Sequence, residues 1–122
     1  MTSHTANPRI AVLGAGSWGT ALAVSLARCN HPVTLWARRD EAAVTMRTTR
    51  HNPTYLPDVH LPESIDVTSD LEQAIVGSSV WVIATPSHAV RDLAERLVPY
   101  GNEDIIVVSV AKGIENESLE SM

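Results

Sequence analysis

Apolar residues gather along this chain in short runs, set apart by polar stretches rich in glycine and proline, and the runs switch between two periods. Residues 9–13 (RIAVL) form an apolar run that stops at Gly14 and reads as a strand buried on both faces. From Gly19 to about Arg28 the spacing turns helical, with Leu22 and Leu26 four apart and Ala23 and Ala27 beside them. Asn30, His31 and Pro32 stop this helix. Val33–Trp36 (VTLW) reads as a second strand, and Asp40 to about Thr49 as a helix whose Asp40 and Glu41 suit its positive N-terminus. Residues 48–64 hold three prolines and no sustained period. Loops of that length are uncommon unless functional or disordered. A weak strand over Ile65–Thr68 and a short helix from about Asp70 to Val76 follow. Residues 79–84 (SVWVIA) predict a further buried strand, broken by Thr85-Pro86-Ser87. The next helix runs from about His88 to Leu97, with Ser87 as its N-cap and Val90, Leu93, Ala94 and Leu97 on one face. Residues 105–110 predict a fifth buried strand, Ala111-Lys112-Gly113 a turn, and Ser118 to Met122 the start of another helix.

Strands and helices therefore alternate throughout. Strands one, four and five are almost uninterrupted in apolar character, as a parallel sheet covered by helices on both faces requires. Right-handed crossovers make this a doubly wound α/β fold with expected strand order 3-2-1-4-5, ending before a sixth strand. Such a sheet takes its ligand beyond the carboxyl ends of the strands where the order reverses. The residues that follow strands one and four there are Gly14 to Gly19 and Thr85-Pro86-Ser87.

Gly14, Gly16 and Gly19 have the spacing G-x-G-x-x-G. The motif follows a strand, opens a helix and has a second strand at βαβ distance, which is the context a dinucleotide fingerprint needs. Gly14 permits the sharp turn, Gly16 lets a pyrophosphate approach the backbone, and Gly19 lets the helix pack on the strand. The helix N-terminus favours phosphate charge. About twenty residues further on, where such folds often place an acid for the ribose, stand Arg38, Arg39 and Asp40. The two arginines suit a 2′-phosphate, so NADP is at least tolerated, while Asp40 could hold a ribose hydroxyl. As an alternative, Arg38 and Arg39 are solvated charges opening a helix.

Composition narrows the picture further. The 122 residues are enough for one domain with a modest core. Nine basic and fourteen acidic residues give a formal charge of -5, which argues against a nucleic-acid partner. The single cysteine, Cys29, excludes an internal disulfide, fits a cytoplasmic location and reads as a small packing residue. The first nine residues are polar and are not expected to be a signal peptide, and no run approaches the length of a membrane span. His31, His51, His60 and His88 lack metal-ligand spacing, so no metal is expected.

The chain resembles the bacterial-type NAD(P)-dependent glycerol-3-phosphate dehydrogenases. The likeness rests on GAGSWGTALA (residues 14–23), LWAR (35–38), HNPTYLP (51–57), ATPSHAVR (84–91) and AKGIE (111–115), which are collinear and span nearly the whole chain. The resemblance implies NADP or NAD as cofactor and reversible hydride transfer between NAD(P)H and dihydroxyacetone phosphate, giving sn-glycerol 3-phosphate for phospholipid synthesis in the cytoplasm. It implies that Ser17 and Trp18 bind the cofactor in the glycine loop, with Trp18 a flat wall beside the dinucleotide and the Ser17 hydroxyl near phosphate. Trp18 as an anchor for another domain or core is the alternative. Arg38 and Arg39 match positions at the adenosine end. Tyr55 matches a tyrosine that reaches the cofactor from the long loop, although packing of that loop onto the sheet would explain it too. Lys112 matches a lysine that contacts both cofactor and substrate. Asp58 and Ala111 depart from the family pattern, which often has glycine and serine there.

Family members exceed three hundred residues and carry the catalytic lysine and most substrate contacts in a second, helical domain. Residues 1–122 are accordingly expected to be the dinucleotide-binding part of a longer dehydrogenase, with no catalytic residue of its own and inactive alone. The resemblance leaves room for a homodimer in the full-length protein. Three other readings stay open: a non-catalytic nicotinamide-nucleotide-binding module, a related dehydrogenase of the ketopantoate or 6-phosphogluconate type, and, more remotely, a methyltransferase using adenosylmethionine.

Overall fold

The apolar runs assemble into one parallel sheet in a computed structural model that describes residues 8–110. Strand β1 (Ile10–Leu13) lies at its centre, flanked by β2 (Val33–Trp36) and β4 (Val80–Ile83), with β3 (Ile65–Thr68) and β5 (Ile106–Ser109) at the edges. The order is 3-2-1-4-5, as expected from the alternation of elements. Helices α1 (Ser17–Arg28), α2 (Asp40–Thr49), α3 (Leu71–Ile75) and α4 (Ser87–Leu97) connect the strands.

The two-residue period of the strands sorts their side chains into two cores. Ile10 and Val12 point with Val33, Leu35, Ile65, Val67 and Val82 toward α1 and α2, where Ala23, Val24, Ala43 and Met46 meet them. Ala11 and Leu13 point with Trp36, Trp81 and Ile83 to the other face, against Leu71, Ala74, Ile75, Leu93 and Leu97. Register sets the small Ala11 beside the large Trp81. Each buried indole finds an acceptor: Trp36 Nε1 donates to the Ser69 carbonyl at 3.0 Å and Trp81 Nε1 to Ser78 Oγ at 2.9 Å. Both faces of β1 are thus closed, and its C-terminal end is left as the open edge.

Several local expectations change. Helix α1 begins at Ser17, two residues before Gly19, because Gly16 is already its N-cap. Helix α4 begins at Ser87 itself, so Ser87 is not an N-cap: Pro86, with φ -54 and ψ 148, is the last extended residue and no side chain caps the helix. The buried face of α4 is Ala89, Leu93 and Leu97, while Ala94 is exposed. Cys29 is exposed at the end of α1 and packs nothing into the core. Strand β5 is not buried: it pairs with β4 as an edge strand and leaves Ile106, Val107 and Val108 exposed.

The long loop has a definite shape. Helix α2 closes on Arg50 in the left-handed region, φ 58. The Arg50 guanidinium then reaches forward, donating to the Ile65 carbonyl at 2.8 Å and to that of Pro62, and Leu61 N donates back to the Arg50 carbonyl at 2.8 Å. Leu61 is fully buried beneath. A short antiparallel bridge between Asn52 and Leu56 turns the loop toward the open edge of the sheet.

Candidate functional site

At the end of β1 the chain turns on Gly14, whose φ of +133 is strained for any residue with a side chain. A Cβ there would lie 2.7 Å from the Ala84 carbonyl group, so strands β1 and β4 approach more closely than any other residue would permit. A Cβ on Gly19 would lie only 1.8 Å from the Gly14 carbonyl oxygen, which ties the first turn of α1 to the strand end. At Gly16, by contrast, a Cβ would meet nothing within 4 Å. Gly16 therefore faces open space above the turn. Helix α1 starts there without a side-chain cap and without an acid in its first turn. Its leading N–H groups have no intrahelical acceptor and present partial positive charge to that space.

Two adjoining cavities open over this turn. One, of about 280 Å³, is bordered by Gly14, Gly16, Arg38, Arg39, Tyr55 and Thr85. The other, of about 380 Å³, is bordered by Gly16, Ser17, Trp18, Tyr55, Thr85 and His88. Gly16, Tyr55, Thr85 and Pro86 belong to both. Thr85 is buried and fixed by its hydroxyl, which donates to the Leu13 carbonyl at 2.9 Å.

The expected site residues are largely brought together. Gly14, Gly16, Ser17, Trp18, Arg38, Arg39 and Tyr55 all border these cavities. Trp18 is 62% exposed and Tyr55 55%. Neither ring is packed into the core of the described residues. Gly19 lies beneath the turn rather than on its surface. Among the described residues, Arg38 and Arg39 make no ion pair and no side-chain hydrogen bond, so both guanidinium groups remain available. Asp40 does not join them: its carboxylate accepts from Ser69 Oγ at 2.9 Å. The Ser17 hydroxyl, expected at phosphate, donates instead to the Tyr55 carbonyl at 3.0 Å. Asp58 is exposed and borders neither cavity. Lys112 and Ala111 lie outside the described residues, as does the helix expected from Ser118. No trio of His, Cys, Asp or Glu among the described residues is grouped to hold a metal.

The sequence reading assigns no role to Asn52 or His88, and places Thr85 only within the Thr85-Pro86-Ser87 break at the ligand edge. Asn52 stood inside HNPTYLP, and its position in a motif was the only signal that could have drawn attention to it.

A family model described as the N-terminus of NAD-dependent glycerol-3-phosphate dehydrogenase matches residues 9–122. The chain belongs to this family. Among curated relatives, a glycerol-3-phosphate dehydrogenase [NAD(P)+] of Salinibacter ruber is 58% identical over 113 residues, covering 93% of this chain and 33% of the relative. One from a Thermoanaerobacter species is 48% identical over 114 residues, with 93% and 34% covered. The crystal structure of glycerol-3-phosphate dehydrogenase from Coxiella burnetii superposes with a TM-score of 0.81 at 34% identity, covering 88% of this chain and 34% of that one. The chain thus spans about a third of the length of these dehydrogenases. The likeness extends over nearly the whole of this chain, the open edge at the end of β1 included. No helix among the described residues is long and apolar enough to cross a membrane.

Proposed function

We propose that this chain binds a nicotinamide dinucleotide, NADP or NAD, as the cofactor-binding part of a glycerol-3-phosphate dehydrogenase. The observation that carries this reading is the open ground at Gly16, where backbone amides face two cavities and no Cβ stands in the way. A pyrophosphate fits at Gly16, on the uncapped start of α1. One half of the dinucleotide then lies toward Arg38 and Arg39, the adenosine side, and the other toward Trp18 and Thr85. Bound there, the cofactor supplies a hydride donor or acceptor. The residues of this chain supply its grip and orientation. Lys112, a residue of the family's AKGIE motif, is proposed to contact cofactor and substrate.

The free arginines and the engaged Asp40 favour a 2′-phosphate over a bare ribose hydroxyl. The reaction itself, reversible hydride transfer between NAD(P)H and dihydroxyacetone phosphate to give sn-glycerol 3-phosphate, is proposed for a longer protein. There a separate helical domain would hold the catalytic lysine. A role in glycerophospholipid synthesis, a cytoplasmic location and a homodimer are parts of the same proposal.

Isothermal titration with NADPH and then NADH tests the cofactor reading. Binding of NADPH, weakened by about tenfold or more in Arg38→Ala while NADH is unaffected, is the expected outcome. A folded chain that binds neither nucleotide would remove it.

A further inference from the structure

Asn52 is a polar loop residue followed by the exposed Pro53, Thr54 and Tyr55, yet it is only 5% exposed itself. Its Nδ2 donates to the Ala15 carbonyl at 2.8 Å and to Thr20 Oγ1 at 2.9 Å. Its Oδ1 accepts from the Tyr55 amide at 3.3 Å. The Ala15 carbonyl can only accept and the Tyr55 amide can only donate, so the two fix which end of the carboxamide faces which. On the far side of the same residue, the Tyr55 carbonyl accepts from Ser17 Oγ at 3.0 Å. Tyr55 is therefore held at both its backbone groups, each time by a side chain anchored in or beside the glycine turn. Ala15 lies between Gly14 and Gly16, Ser17 opens α1, and Thr20 is the fully buried residue of its first turn.

The geometry points to Asn52 as the positioning residue that locks Tyr55 over the dinucleotide turn, with Ser17 as the second half of the clamp. This rests on the reading of the turn as a nucleotide site. Asn52 borders neither of the two cavities over the turn and would not touch the cofactor; it acts through the tyrosine. Tyr55 carries its ring on a loop between the adenosine-side cavity and the one beside Trp18, and borders both. A ring on an untethered loop would have to be ordered at each binding event, so a preformed clamp raises affinity by removing that cost. The amide is specifically required. A carboxylate of the same shape keeps an acceptor for Tyr55 but sets a negative oxygen against the Ala15 carbonyl.

The test is a double-mutant cycle on NADPH affinity, using the chain as it stands, with Asn52→Ala, Tyr55→Ala and the pair. Asn52→Ala is expected to weaken NADPH about tenfold, and to add little once Tyr55→Ala is present. Asn52→Asp is expected to behave like the alanine variant, and Ser17→Ala to give a smaller loss. Because Ser17 is exposed, that variant keeps the test alive if Asn52→Ala does not fold. In parallel, hydrogen exchange at the Tyr55 amide is expected to speed up in Asn52→Ala without nucleotide, a change that general destabilisation would spread over the whole sheet. Unchanged affinity in Asn52→Ala, or an equal loss in the presence and absence of the Tyr55 ring, overturns the role of Asn52 alone. Failure of the unaltered chain to bind either nucleotide overturns the site reading, and this inference with it.

Discussion

Gly16 and Gly19 sit three residues apart and answer to opposite constraints. A methyl group on Gly19 has nowhere to go, because the Gly14 carbonyl oxygen lies 1.8 Å from the position it would take. Helix α1 would have to lift from β1. Gly19→Ala is therefore expected to lower the melting temperature by more than about 10 °C, the scale of a severe packing defect in a domain of this size. A methyl group on Gly16 meets no protein atom within 4 Å. Gly16→Ala should leave stability within about 1 kcal/mol of the parent and instead weaken nucleotide binding by about tenfold, since the methyl occupies the space the pyrophosphate needs. Melting curves and titrations on the two variants separate these effects, and equal melting temperatures would contradict the packing argument. The turn at Gly14 and the close packing at Gly19 are legible in the sequence, because both follow from spacing next to a strand and a helix. The engagement of Ser17 and Asn52 is not. Apart from the Asn52–Tyr55 bond, their partners lie 32 to 38 residues away, and only the closed fold brings them together.

The same distinction holds for whole elements. Residues 48–64 are recognisable as a loop from their prolines and lack of period, although α2 runs on to Thr49, but nothing local shows how the loop is held. Its frame is the Arg50 guanidinium, with a side chain only 14% exposed, donating to the carbonyls of Pro62 and Ile65. Arg50→Ala would strip two part-buried carbonyls of a charged donor, leaving Pro62 only the Ile65 amide, and is expected to cost about 1–3 kcal/mol in urea unfolding, with new protease cleavage confined to residues 50–64. Cleavage spread over the sheet instead would show that Arg50 supports the core and not the loop. Strand β5 marks the complementary limit. Its apolar composition is plain from residues 105–110, yet Ile106, Val107 and Val108 are exposed: among the described residues no helix covers β5 as α2 covers the other edge strand, β3, where Ile65 and Val67 are buried. Composition reports that a strand is suited to burial. What covers it depends on neighbours that the strand's own sequence does not encode.

At the scale of the molecule, the chain carries a formal charge of -5, and the ligand proposed for it is strongly anionic. The distribution of charge resolves the conflict. The strand ends facing the cavities carry Arg38 and Arg39, with no ion pair among the described residues to neutralise them, and the neighbouring Asp40 is hydrogen-bonded to Ser69. Acidic groups that lie farther from the ligand than the ~10 Å screening length at 0.1 M salt count for little there. Contacts between a phosphate and a guanidinium, at hydrogen-bonding distance, are screened only as salt approaches ~1 M, where that length falls to ~3 Å. Raising salt from 0.1 to 1 M should therefore weaken NADPH markedly more than NADH, and the gap between the two affinities should close. In Arg38→Ala the gap should already be small at 0.1 M. If NADPH and NADH respond to salt equally in the unaltered chain, the extra phosphate does not meet these arginines. An affinity that rises with salt would show that the dispersed acidic charge, and not the local pair of arginines, governs the approach of the nucleotide.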